Sequence, residues 1–203
     1  MAVITISRQF GAGGDELARR LVKKLDYRYV SQEVLKKVAA RGGVTVTGAA
    51  AAEKAAGSWI MGLVDRILPR EKIDAWLKTD SGLMDGHDYI ALVTEVITEI
   101  GREGDALILG RGGQHILQDM PGVYHVLLVA DREFRMKRAR EYYQITDKEA
   151  DADLKARDRR RDSYLRAFAD VDPNDPLLYH LTINTGRIGL DKAEGLILDL
   201  IEA

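Results

Sequence analysis

The chain has 203 residues, 46% of them hydrophobic and 31% charged, with 30 Lys and Arg against 32 Asp and Glu for a formal net charge of -2. This composition suits one folded domain with room for a small subdomain, and the near-neutral balance argues against bulk attraction to nucleic acid or to an anionic membrane. Cys is absent, which excludes disulfides, thiolate nucleophiles and thiolate-held metals, and the His residues at 87, 115, 125 and 180 lack metal-ligand spacing. The first residues carry no basic segment leading into a long apolar core and no apolar run approaches 18 residues, so a cytoplasmic location is expected.

Ala2 to Ser7 is a short apolar, β-branched run that predicts a strand, and after a Gly-rich turn the apolar positions from Glu16 to Leu25 recur at helical spacing. Tyr27 to Val30 reads as a second strand, and a helix is expected from Ser31 to before Gly42-Gly43. Further helices are predicted at Ala49 to Leu68, Glu71 to Leu77 and Asp88 to Gly101. Ala106 to Gly110 and Val123 to Ala130 are almost continuously apolar, the pattern of strands covered on both faces, and each precedes a helix, at Gln114 to Gln118 and from about Asp131. Thr146 and Glu149 have capping-box spacing and open a charged helix to about Phe168, ahead of Pro173 and Pro176. Tyr179 to Asn184 is the last predicted strand, and Leu190 to Ile201 a closing amphipathic helix. Strands alternating with helices imply an α/β fold whose mostly parallel sheet is covered by helices on both faces, with ligands at the carboxyl ends of the strands.

Gly11-Ala12-Gly13-Gly14 lies where such a fold binds an anion, since amides turned inward and the following helix N-terminus favour negative charge. A side chain at Gly13 is expected to intrude on the anion space. A tight turn alone is the simpler reading. The dinucleotide pattern Gly-x-Gly-x-x-Gly fails at Glu16, and the phosphate-loop pattern Gly-x-x-x-x-Gly-Lys-Ser/Thr is met only in part, with Arg8 at its first Gly, Gly14 at its Lys and Asp15 at its Ser/Thr. Arg8 can replace one missing charge. Asp15 can hold magnesium directly or through water, or merely complement the helix dipole. Arg111, between glycines after an apolar strand, offers a bidentate phosphate ligand at the same sheet edge. Arg157, Arg160, Arg161 and Tyr164 share a helical face; a lid over phosphates explains that clustering, and a solvated salt-bridge face with Asp158 and Asp162 is the alternative.

In its motifs and their order the whole chain resembles the cytidylate-kinase-like family of P-loop kinases: Ile4 to Gly14 looks like that group's altered phosphate loop, followed by Leu109 to Gly112, Arg157 to Tyr164 and Leu181 to Leu190. The resemblance implies a three-layer P-loop NTPase-like fold with a helical lid at 146–170 and an acceptor-binding helical insertion at 31–102, all within a single domain over 1–203. It implies ATP and Mg²⁺ as cofactors and phosphoryl transfer to a nucleoside monophosphate, CMP or dCMP. Gly11, Ala12, Gly13 and Gly14 then bind phosphate, Asp15 faces the metal, and Arg8, Arg157, Arg160 and Arg161 are catalytic. Arg111, Gln32 and Lys37 fall to the acceptor side, although Lys37 suits an exposed helix face equally well. Two departures stand out. Gly14-Asp15 replaces the family's Lys-Ser, and Arg111-Gly112 replaces an Arg-Asp pair whose Asp is associated with cytosine recognition. Loss of the loop Lys supports a competing reading, a catalytically weak nucleotide-binding sensor or scaffold. A nucleotide or other small phosphorylated acceptor is the expected partner, with no nucleic acid and no membrane.

Overall fold

Val3–Arg8 forms β1, whose aliphatic and β-branched residues suit burial on both faces at the middle of a sheet. The computed structural model describes residues 2–31, 86–169 and 172–202. Helix α1 (Gly14–Leu25) and strand β2 (Arg28–Val30) follow, then α2 (Gly86–Glu103), β3 (Ala106–Leu109), α3 (Gly113–Ile116) and β4 (Val123–Val129). The chain continues through α4 (Arg132–Tyr143), α5 (Asp147–Ala169), a 3-10 turn at Pro176–Leu178, β5 (Leu181–Asn184) and α6 (Thr185–Glu202). The helices expected after Ser31, at 49–68 and at 71–77 lie outside the described residues.

The five strands pair in the order β2-β3-β1-β4-β5, every pair parallel. Side chains alternate across the sheet. One face presents Ile4, Ile6, Leu107, Leu109, Val126 and Leu128 to Leu17 and Leu21 of α1 and to Leu190 and Ile197 of α6. Each such fully buried aliphatic chain contributes roughly 1.5–3 kcal/mol, so this layer fixes the register of the strands against α1. Thr5 and Ile108 face the other way, where α3 approaches so closely that a Cβ on Gly113 would stand 3.3 Å from both. Among the described residues, no helix is long and apolar enough to cross a membrane.

Helices α4 and α5 build a small core of their own. Asp131 caps α4 by accepting from the Phe134 amide at 2.9 Å. The predicted capping box forms at α5: the Glu149 amide donates to Thr146 Oγ1 at 3.3 Å, and Glu149 Oε2 accepts from the Thr146 amide at 2.8 Å. The Thr146 hydroxyl and amide hold the Glu149 carboxyl below the usual carboxylate range. Ala139, Ala150 and Leu154 pack together between the two helices, and Phe10 from the loop after β1 packs against them. The closing helix departs from its expected start: α6 begins at Thr185, directly after β5, and Gly189 (φ 78, ψ 167) kinks it just before Leu190. Only the stretch after that kink shows amphipathic spacing, which is why the earlier turn escapes a reading by periodicity.

One buried polar contact is expected to make the fold sensitive to acid. His125 is 3% exposed, and its Nδ1 lies 2.7 Å from Thr5 Oγ1. Burial, reinforced by nearby His180, pushes its pKa down to about 4. The unfolded chain therefore binds this proton more readily, and the stabilising contribution is fully present above about pH 6.5 and lost as pH falls toward 4. Urea unfolding of the wild type should lose up to about 1.4 kcal/mol per pH unit more across that window than His125→Asn does. Equal slopes for the two proteins would remove His125 as the cause.

Candidate active site

The carboxyl ends of β1 and β3 lie side by side, tied by a hydrogen bond from the Gly110 amide to the Ile6 carbonyl at 2.9 Å. The two glycine-rich loops that leave these strands consequently share one sheet edge, as their positions after apolar runs predict. After β1 the chain turns at Gly11 (φ 81) and Gly13 (φ 84) into the first turn of α1. Gly13 as N-cap has no side chain to cap that helix, which leaves the amides of its first turn and the positive end of its dipole at the loop. The expectation for Gly13 needs correction. A Cβ there would stand 2.7 Å from Leu190 Cδ2, against the core, so a side chain would distort the loop through clash and positive φ.

Distant residues hold this loop in place. The Phe10 amide donates to Asp158 Oδ1 at 3.1 Å, and Arg135 Nη1 donates to the Phe10 carbonyl at 3.3 Å and to Asp158 Oδ2 at 2.6 Å. Thr185 Oγ1, wholly buried, donates to the Ala12 carbonyl at 2.9 Å. Gln9 Oε1 accepts from the Ala130 amide at 3.1 Å, extending the join between β1 and β4. Spacing alone reveals none of these partners; Asp158 reads in the sequence only as a charge balancing its arginine neighbours.

Around the loop opens a cavity of about 390 Å³ lined by Gly11, Gly13, Gly14, Asp15, Arg8, Arg111, Arg157, Arg160, Arg161 and Tyr164. Ala12 is buried beneath the loop. Gln32 and Lys37 lie outside the described residues. All four residues of the predicted helical face thus reach one cavity, but their roles diverge. Arg157 stacks over Phe10, its Cζ 4.4 Å from the ring centroid, with Tyr143 on its other contact at 5.6 Å. Arg161 anchors α5: its Nη2 donates to Ser7 Oγ at 3.1 Å and to the Pro173 carbonyl at 2.7 Å, while Nη1 donates to Asn174 Oδ1 at 3.0 Å. The hydroxyl of Tyr179 donates to the same Pro173 carbonyl at 2.7 Å, and burial raises the pKa of that phenol. Arg160 is exposed on the cavity wall.

Arg8 lines the same cavity. Burial pushes its pKa below the ordinary guanidinium value, Asp15 and Tyr29 oppose that shift, and the like charges of Arg111 and Arg161 add to it. Cations from the end of β1, the β3 loop and α5 therefore converge on a space lined also by the loop amides, an arrangement complementary to a polyphosphate. Asp15 stands on the same wall. Among the described residues no three His, Asp or Glu side chains gather as a metal cage, so a cation here would take most of its oxygens from its ligand and from water.

Arg111 itself sits in a left-handed conformation (φ 58) between Gly110 and Gly112, with its guanidinium 5.0 Å from the Tyr164 ring centroid. For a non-Gly residue that backbone costs roughly 1–2 kcal/mol, and the ring contact returns roughly 0.5–2. Arg111→Ala keeps the strain and loses the contact; Arg111→Gly loses both. Urea titrations should place the Ala variant below the Gly variant by about 1 kcal/mol, with the Gly variant near wild type. An Ala variant as stable as the Gly variant would show that the backbone there is unstrained.

A model of the cytidylate kinase-like family matches residues 3–187. No match is found among curated proteins. Among solved structures, the chain is similar to an uncharacterized protein from Eubacterium ventriosum, at 20% identity and a TM-score of 0.73 over 100% of this chain and 99% of that one. It is also similar to shikimate kinase from Bacteroides thetaiotaomicron, at 15% identity and a TM-score of 0.50 over 100% and 99% of the two chains. At these identities the likeness concerns the fold. The family match covers most of the length, and its phosphate loop, β3 loop and arginine-bearing helix are the elements that build the cavity: the chain belongs to the cytidylate kinase-like family.

Proposed function

We propose that the cavity binds ATP with its phosphates over the loop at residues 11–14 and passes the γ-phosphoryl group to a nucleoside monophosphate, CMP and dCMP being the acceptors that the family suggests. The observation that carries this reading is the convergence of cations from three elements and the first-turn amides of α1 on one cavity. In the transfer, an acceptor phosphate oxygen forms a bond to the γ-phosphorus as the bond to the β–γ bridging oxygen breaks. The electron pair of that bond leaves on ADP. Little covalent work falls to the protein, which aligns the two nucleotides and stabilises charge spreading over the moving group.

In this reading Gly11, Ala12, Gly13 and Gly14 form the cradle, and Arg111 faces the acceptor phosphate together with Gln32 and Lys37 from the 31–102 segment. Residues 146–170 act as a lid that excludes water from the reacting phosphates, so that ATP is not hydrolysed instead. Asp15 is the residue to hold magnesium, which when bound would neutralise charge on the β- and γ-phosphates. One carboxylate with phosphate oxygens fits the habits of that cation. A sensor or scaffold that binds nucleotide without transfer is the competing reading, favoured by Gly14-Asp15 in the loop. Incubation with ATP, Mg²⁺ and a panel of monophosphates, followed by a search for ADP and the matching diphosphate, separates the two: ATP binding without either product supports the sensor.

The divergent partners of Arg160 and Arg161 give a sharper expectation. Arg160, on the cavity wall, acts on the transition state, so Arg160→Ala should lower single-turnover transfer 10- to 1,000-fold, about 1.4–4 kcal/mol, with the melting temperature unchanged. Arg160→Lys keeps the charge without the fork and should rescue only in part. Arg161→Ala should lower both transfer and melting temperature, since Ser7 and Pro173 lose the group that ties α5 to the sheet. Full transfer by Arg160→Ala, or an unchanged melting temperature in Arg161→Ala, would reverse these assignments.

A further inference from the structure

Gly14 is a glycine that its own backbone does not require. Unlike Gly11 and Gly13 it lies at ordinary negative φ, as the first residue of α1, where Ala is accommodated more readily. The space of its side chain is taken: a Cβ there would stand 2.7 Å from Arg8 Cγ, 3.2 Å from Arg8 Cβ and 3.3 Å from Arg8 Cδ. The other end of the same side chain lies against Gly110, whose Cβ would stand 2.5 Å from Arg8 Nη1. Arg8 thus runs from the end of β1, past the start of α1, to the end of β3. No hydrogen bond or ion pair joins its guanidinium to another described residue, although the residues around it, Asp15 apart, include the cations Arg111 and Arg161. With Asp15 on one side and two cations on the other, no hydrogen-bonded partner among the described residues and its head beside a cavity, this guanidinium is placed to take a further anion.

Position 14 is where an ordinary phosphate loop carries its Lys. We propose that Arg8 delivers that missing cation from the strand, and that Gly14 is a glycine so that the Arg8 side chain can pass between the two loops to the terminal phosphate of a bound nucleoside triphosphate. The inference rests on the phosphoryl-transfer reading and deepens it: the altered loop has moved its charge by six positions in sequence while keeping it in the same space. Since the guanidinium head lies at Gly110, next to Arg111, it stands between the donor loop and the acceptor side. Its contact is accordingly with the phosphoryl group in transfer and not with the nucleoside or the α-phosphate.

The test uses the full chain and four variants, Arg8→Ala, Arg8→Lys, Gly14→Ala and Arg8→Ala/Gly14→Lys, each checked for folding by thermal unfolding. Two quantities are read, single-turnover transfer and the ratio of ATP to ADP affinity. Wild type should prefer ATP, Arg8→Ala should lose most of that preference and roughly 100- to 1,000-fold in transfer, and Arg8→Lys should recover part of both. Gly14→Ala should leave α1 at least as stable and still lower transfer at least about tenfold, because its methyl group displaces the Arg8 stem. The double variant refills the vacated space with a cation from the helix side and should regain at least about tenfold over Arg8→Ala alone. The proposal is overturned by a folded Arg8→Ala protein with wild-type ATP preference, or by a double variant no better than Arg8→Ala. Should the wild type transfer phosphate to no acceptor, the kinase reading fails by itself, and the affinity ratio still decides the role of Arg8: loss of an ATP preference in Arg8→Ala supports it, while a wild type with no such preference overturns it.

Discussion

The hydrogen bond from the Phe10 amide to Asp158, with Arg135 donating to both Asp158 and the Phe10 carbonyl, joins the phosphate loop, α4 and α5 at one point. A charge-assisted bond of this kind is worth roughly 1.5–3 kcal/mol, more than a surface ion pair, because Arg135 is only 12% exposed at its side chain. Its geometric effect exceeds its energy. By holding the backbone of a single loop residue from both sides, it sets the distance between the helix that carries Arg157, Arg160 and Arg161 and the amides at the start of α1. Phe10 adds an apolar tie to the same joint, packing into the small core between α4 and α5 and lying beneath Arg157.

The gathering of positive charge follows from the parallel sheet. With β1 paired to β3 on one side and β4 on the other, the strand ends that carry Arg8 and Arg111 must emerge at the same edge. Like charges so placed disfavour one another, and the protein relieves this unevenly. Arg161 spends its donors on Ser7, Pro173 and Asn174, Arg157 rests on aromatic rings, and Arg111 lies against Tyr164. Arg8 has no hydrogen-bonded partner among the described residues, and Arg160 stands exposed on the cavity wall. Arginines bound to the fold and arginines left open to the cavity are thereby distinguished around one space.

Local pattern carried much of the architecture. Three of the five strands, β1, β3 and β4, announce themselves by apolar runs, the helix after the first loop by its apolar spacing, and α5 by the reciprocal Thr146 and Glu149 pairing. From these the α/β class, the parallel sheet and the shared edge of the two glycine loops follow, since each depends on residues that are neighbours in the chain or recur at a fixed period. The start of α6 was not legible in this way, because the kink at Gly189 separates its first turn from the amphipathic stretch that marks the rest.

What the sequence by itself determined is therefore where the two glycine-rich loops and the arginines lie in the chain and that the loops meet at one edge. The task of each group was decided by tertiary structure. Asp158 is 148 positions from the Phe10 amide it accepts from, Arg161 is 154 from Ser7, and Thr185 is 173 from Ala12. No periodicity spans such distances, so an anchoring arginine and a ligand-facing one look alike in the chain. The same holds for glycines: Gly13 answers to its positive φ and to Leu190, whereas Gly14 answers to the side chain of Arg8. Local rules report which backbone conformations a residue permits, but the volume it must leave empty is set by whatever the fold packs beside it.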